Sequence, residues 1–246
     1  METAVLKPTT PEDLQQNILA TYFWMRGGII ALAALLPVAL ILYSVAAHGG
    51  LTENSISAYY GADNGVMRND FVASLCVVGA LLIVYKGFSR LENILLKIAG
   101  TAVTLVALTP CDCWHPVDSH SDLHTAFALT FFACMAVDVE FCGFDTITLL
   151  PTKAQQLRYR RYYHTIAACL LVSPFAALAA AYIARVPKSA IFFVEWFGVW
   201  MFALYWAVKS REFHYTAAEE RAARGELEKA PHGLVPRRDL VGAQRH

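Results

Sequence analysis

Six apolar blocks, separated by short polar connections, constrain this chain more than any other feature. They run over residues 28–47, 71–85, 94–109, 124–150, 164–184 and 190–208. Crossing about 30 Å of hydrocarbon takes roughly 20 apolar residues in helical form, fewer where polar ends snorkel or the bilayer thins. None of the blocks alternates with a period of two along its length, which argues against a transmembrane barrel. The pattern predicts an all-α fold, a six-helix transmembrane bundle. Composition agrees: 57% of residues are hydrophobic and 16% charged, against about 45–50% and 25% in soluble domains. A disordered, collagenous or small disulfide-rich protein is excluded on the same grounds.

The 20 basic and 20 acidic residues cancel, so charge gives no reason to expect a nucleic-acid partner. Their distribution is more informative. Alternating the blocks across a bilayer puts 17 of the 20 Lys and Arg on one side and leaves Arg68, Arg185 and Lys188 on the other. Cytoplasmic loops retain cations, so both termini are predicted to be cytoplasmic, in a bacterial inner membrane. The first apolar run exceeds the 7–15 residues of a signal peptide and follows 27 others, which favours an uncleaved span. This divides the chain into a cytoplasmic segment at 1–27, a membrane domain at 28–208 and a charged tail at 209–246. Thr10, Pro11, Glu12 and Asp13 predict a helix start and a short interfacial helix. The stretch 216–229 reads as a solvated helix and the Pro- and Gly-bearing end beyond it as unstructured.

The chemistry gathers on the cation-poor side. The loop 111–124 carries Cys111, Asp112, Cys113, Trp114, His115, Asp118, His120, Asp122 and His124, with no Lys or Arg. His120 and His124 are four apart, on one helix face, with β-carbons about 6 Å from each other. They form a candidate metal pair with His115, and Asp112, Asp70 or Asp118 would supply a carboxylate ligand or base. Three protein ligands and a water would make a catalytic zinc geometry. The alternative is that these histidines line a polar loop and cap the fourth helix. Cys111 and Cys113 are too close for an unstrained disulfide.

Asp70 and Glu195 are acids at membrane depth, Glu195 about one and a half turns inside the last block. Such acids are costly and need partners. They read either as reacting carboxylates or proton relays, or as salt-bridge and hydrogen-bond partners. Asp138 falls on the same helical stripe as His124, Phe127, Phe131, Met135 and Cys142, about 21 Å further along. That is too far to join a metal site with His124. Glycine-rich phosphate loops, a Gly-x-Ser-x-Gly elbow and paired Cys-x-x-Cys motifs are absent from the sequence.

Ser55-Ile56-Ser57-Ala58-Tyr59-Tyr60, then Met67-Arg68-Asn69-Asp70-Phe71-Val72 and Tyr85-Lys86-Gly87, resemble an uncharacterised family of bacterial multi-pass membrane proteins. Glu195 and Trp206-Ala207-Val208-Lys209 fit the same pattern, which transfers no activity. A fainter similarity reaches the CREST superfamily of membrane hydrolases, which uses a serine, an aspartate and three histidines around zinc. By that resemblance Ser55 or Ser57, Asp70, His120 and His124 are the corresponding candidates. The chain departs from it by having six spans instead of seven and by carrying Glu195, not a histidine pair, in the last. The resemblance implies a zinc-dependent hydrolase acting on a lipid amide or ester, with Ser57 and Asp70 as catalytic candidates, to which Glu195 is added as an acid at membrane depth. A proton-coupled transporter and a non-catalytic sensor or assembly factor remain open on the sequence.

Overall fold

A computed structural model of the chain describes residues 10–51, 53–109, 119–182, 189–230 and 233–237, with the backbone alone at 119–122, 181–182 and 189. Six long helices dominate it: α1 Pro11–His48, α2 Arg68–Val84, α3 Arg90–Leu108, α4 Ser119–Val137, α5 Lys153–Tyr182 and α6 Ser189–Thr216. Five helical segments, at 11–48, 90–108, 123–149, 153–180 and 190–216, are long and apolar enough to cross a membrane. α2, with 17 residues, is about 25 Å long and is the shortest of the six.

Local signals explain the ends. Thr10 accepts a hydrogen bond from the Asp13 backbone N–H while the Asp13 side chain accepts from the Thr10 N–H, a reciprocal capping box. Pro11 occupies the first turn, where its missing N–H costs nothing. From there α1 runs unbroken for 38 residues to Gly49, whose φ of 74° closes it. The expected interfacial helix and first span are therefore one element, about 57 Å long. Ser89 caps α3 by accepting from the Glu92 N–H.

Successive helices alternate in direction, each packs on the next, and α6 returns to α1, so the six form a closed ring in sequence order. α2 and α3 touch most closely at Gly79 and Gly100. A β-carbon on Gly79 would lie 2.7 Å from the Gly100 carbonyl oxygen, and one on Gly100 would lie 2.6 Å from that of Gly79. Ile29, Leu82, Leu96, Met135, Tyr163, Leu170 and Trp206 fill the ring. Its middle holds an apolar void of about 40 Å³ between Leu36, Val78, Val103, Phe131 and Phe202. Such a cavity stays dry.

Below α4 the ladder changes. A π-turn, Asp138–Cys142, and a 3₁₀ segment, Gly143–Leu149, carry the chain to α5. The predicted stripe holds through this change: Phe131, Met135, Asp138 and Cys142 are buried, while Glu140 pairs with His164 at 2.8 Å.

The tail differs from the sequence expectation. α6 continues to Thr216, α7 spans Ala218–Ala223, and β1 Leu227–Ala230 pairs antiparallel with β2 Gly233–Pro236. The single solvated helix fails because Ala217 and Gly225 adopt positive φ, 47° and 68°. The hairpin lies against Gly143–Leu149: Thr148 donates to the Leu234 carbonyl, and Lys229 meets Asp145 at 3.1 Å. Leu234 is buried there. Beyond residue 229 the described tail is thus not uniformly unstructured, since Gly233–Pro236 is a strand, and α6 runs through position 209 without a break.

This tail end encloses a network of charged groups. Arg26, counted among loop cations in the sequence, is buried, paired with Glu219 of α7 and bonded to Ser210 and Tyr85. Lys209 donates to the Gly143 carbonyl at 2.9 Å and to Thr146 at 2.7 Å, and meets Glu212 at 3.4 Å. Glu212 also accepts from Tyr163 and Thr146. Nearby, Tyr205 donates to Asp138 at 3.1 Å, and Glu92 accepts from the Phe88 N–H at 2.7 Å.

Candidate functional site

The opposite end of the ring holds a smaller polar assembly built around Ser57. The segment after α1 returns to the bundle as two 3₁₀ turns, Ser57–Tyr60 and Ala62–Gly65. Ser55 accepts from the Ala58 N–H and starts the first turn. Ile56, Tyr59, Ala62, Met67 and Phe71 anchor the segment on Leu36, Leu40, Val106 and Phe192. Glu195, one and a half turns into α6, accepts from the Ile56 N–H at 2.7 Å and from the Ser57 N–H. A carboxylate thus holds the two backbone donors that present Ser57.

His124, on the first turns of α4, is 4% exposed. Its Nδ1 lies 2.9 Å from the Thr109 carbonyl oxygen and its Nε2 lies 2.8 Å from Ser57 Oγ. A carbonyl only accepts, so Nδ1 carries the proton and Nε2 is left as the acceptor for the serine hydroxyl. Thr109 ends α3, where the last carbonyls lack an intrahelical partner. The assembly therefore draws on four elements: the Ser57 turn, the end of α3, the start of α4 and the first turns of α6. A serine hydroxyl bonded to an oriented neutral imidazole is the arrangement that generates a nucleophile in acyl transfer.

Two buried donors stand in the same region with no hydrogen-bond partner among the described residues, the Tyr59 hydroxyl and the Trp196 indole N–H. Both rings pack on Phe192, at centroid distances of 5.9 and 6.1 Å. Buried donors are usually satisfied, so two idle ones together are unusual. Beside the Ser57 turn opens a groove of about 460 Å³, lined by Tyr60, Arg68, Asn69, Val72, Ala73, Ala107 and Leu108.

The sequence candidates separate on this framework. Ser57, His124 and Glu195 come together. Asp70 does not join them: it is exposed in the first turn of α2, where a carboxylate complements the helix N-terminus. Asp112 and His115 fall outside the described residues, and so does the side chain of His120. Both ring nitrogens of His124 are engaged, and among the described residues no three His, Cys, Asp or Glu side chains converge as metal ligands. Of the histidines that the sequence offered as zinc ligands, only His124 has its side chain among the described residues. Sequence reading also missed the Thr109 carbonyl, because every residue carries one and only position makes it useful.

A separate contact fastens the far side of this segment. Asp63, at φ 48°, accepts from Tyr43 at 2.6 Å and lies 2.6 Å from His48 Nε2. Those two hydrogen bonds, Tyr43 first, hold the Asp63 carboxyl below the usual carboxylate range, whereas burial pushes the nearby Glu53 carboxyl up. Compared with models of known families, with curated proteins and with solved structures, the chain matches none. The site must therefore be interpreted on its own geometry.

Proposed function

We propose that this chain is a six-span inner-membrane protein, termini in the cytoplasm, that hydrolyses an ester or amide bond of a membrane lipid at Ser57. The observation that carries the reading is the 2.8 Å Ser57–His124 contact, with the opposite ring nitrogen fixed by the Thr109 carbonyl. Ser57 Oγ attacks the acyl carbon while its proton passes to His124 Nε2. The tetrahedral intermediate collapses, the bond to the leaving alcohol or amine breaks, and that group takes the proton from Nε2. Water then attacks the acyl-serine, giving its proton to His124. Release of the fatty acid returns the proton to Ser57.

In this reading Glu195 positions Ser57 by holding its backbone, and the scheme routes no step through a metal. The dry apolar middle of the ring favours surface chemistry over transport along the bundle axis. Six alternating spans require α2 to cross as well; its short length is met by local thinning of the bilayer or by protein on both flanks.

The test is release of fatty acid from a panel of lipid esters and amides by the purified protein in mixed micelles. Turnover that disappears in Ser57→Ala and in His124→Ala, with covalent labelling of Ser57 by a fluorophosphonate, is expected. Absence of turnover across the panel, or full turnover in Ser57→Ala, overturns the reading and leaves the assembly as a clasp for the 49–67 segment. Reporter fusions in the 110–123 loop test the orientation; cytoplasmic signals there would reverse it.

A further inference from the structure

The groove beside Ser57 follows from how α2 and α3 cross. The two antiparallel helices meet at Gly79 and Gly100, where neither tolerates a side chain. Straight helices in contact at one point separate on either side of it. Toward the Ser57 end, seven residues or about 10 Å from that crossing, the gap between them is bordered by Val72 and Ala73 of α2 and Ala107 and Leu108 of α3. The alanines cannot fill the space that opens, and a groove of about 460 Å³ results. Its walls are apolar along the helices. Its mouth is not: Arg68 and Asn69 stand there, with the Arg68 guanidinium 5.3 Å from the centre of the Tyr60 ring.

Two of its lining residues, Tyr60 and Leu108, lie close along the chain to the residues that present the proposed reacting pair. Tyr60 closes the 3₁₀ turn that Ser57 begins, and Leu108 precedes Thr109, whose carbonyl orients His124. Arg68 itself is exposed, and besides the Tyr60 ring it makes one long hydrogen bond among the described residues, 3.5 Å to the Asn64 carbonyl. Among the described residues at this end of the ring it is the one Lys or Arg. A guanidinium stacked on a ring retains its donors for a bidentate phosphate contact.

We infer that the α2–α3 groove seats an acyl chain of an anionic phospholipid, with the headgroup phosphate on Arg68 and the ester bond drawn toward Ser57. This rests on the hydrolase reading for the bond that breaks, but the binding step stands by itself. The occupant is a membrane lipid because the groove opens between membrane helices and its cation lies at one end, which matches a molecule with a long apolar tail and one charged head.

Binding and turnover separate in the Ser57→Ala protein, which cannot form the acyl-enzyme. Delipidated protein is equilibrated with vesicles of equal phosphatidylglycerol and phosphatidylcholine, and the retained lipids are counted by native mass spectrometry. Phosphatidylglycerol is expected to be enriched about five-fold, the ratio a single half-wet ion pair supports. Arg68→Gln should retain both lipids equally, and Ala73→Trp, which fills the groove on an exposed face, should retain less of each. Equal retention of the two lipids by Ser57→Ala, or enrichment that survives Arg68→Gln, overturns the inference. Selective retention without turnover in the wild type would overturn the hydrolase reading and leave the lipid site.

Discussion

The two ends of the helical ring handle buried polarity in opposite ways. At the tail end, charged groups satisfy one another: Arg26 with Glu219, and Lys209 with Glu212, Thr146 and the Gly143 carbonyl. At the loop end no Lys or Arg is buried among the described residues; Glu195 and His124 are satisfied by backbone atoms and by Ser57. Two donors there, on Tyr59 and Trp196, have no partner. The tail end also holds idle buried atoms, Asp138 Oδ1 and the Trp206 indole N–H, but its buried cations are closed in pairs, and a closed pair leaves no cation over for a ligand. A polar assembly held by backbone, with a nucleophile and idle donors, retains chemical capacity.

The comparison breaks most sharply on activity. Ser57→Ala should lower lipid hydrolysis by about 10³-fold or more while leaving thermal unfolding nearly unchanged, and His124→Ala should lower it as far but with a stability loss of about 1–3 kcal/mol, because a buried ring and its two hydrogen bonds are removed; a Ser57→Ala protein that unfolds early yet keeps its turnover would make the loop end another structural clasp. Lys209→Met attacks the other end. It strands Glu212 without its cation and should destabilise the protein by about 3–5 kcal/mol, read as a lowered unfolding midpoint in detergent. Lys209→Met with Glu212→Leu should recover a large part of that loss, because replacing a buried pair by apolar groups is far cheaper than breaking it.

Glu195→Gln is intermediate. An amide has one acceptor oxygen where the carboxyl group has two, and its NH2 cannot accept from the Ile56 or Ser57 N–H, so a stability loss of about 1–2 kcal/mol is expected. The hydrolysis rate should fall with it as Ser57 becomes less well held. Tyr59→Phe removes a hydroxyl that has no partner and should change stability by less than about 1 kcal/mol. If the rate drops while stability holds, that hydroxyl serves the substrate.

The smallest effect concerns pH. Tyr43 and His48 hold Asp63 below the ordinary carboxylate range, so its contribution is complete above the unfolded value of about 3.9. It fades as pH falls through the lower folded value. Wild type and Asp63→Asn should therefore differ in unfolding midpoint near neutral pH and converge as the medium is acidified below that value; a constant gap would mean the Asp63 charge is not involved.

Much of the fold was legible because hydrophobic blocks of helical length have few alternatives. The reciprocal cap at Thr10 and Asp13 and the buried stripe from Phe131 to Asp138 follow from local spacing alone. The tail was misread for an equally physical reason. Helix propensity over 216–229 is high, but it is a weak prior, and positive φ at Ala217 and Gly225, with Leu234 buried against Gly143–Leu149, overrides it. Asp70 was assigned to the site as an acid at the edge of the second block, yet position along a block says only that a polar group lies near its end, not which way the side chain turns.

For the site, sequence supplied the reactive residue types and the end of the molecule where they collect. Ser57 and Glu195 were singled out as catalytic candidates and His124 as a metal ligand, but nothing joined the three. Their assembly spans 67 residues between Ser57 and His124 and 139 between Ile56 and Glu195, distances at which no periodicity carries information. Hydropathy and charge, which act residue by residue, determined that the chain makes membrane-length helices and where its cations lie. The closing of the ring from α6 onto α1 decided which side chains meet, since hydrogen bonds require placement to within a fraction of an ångström and only the packed tertiary structure provides it.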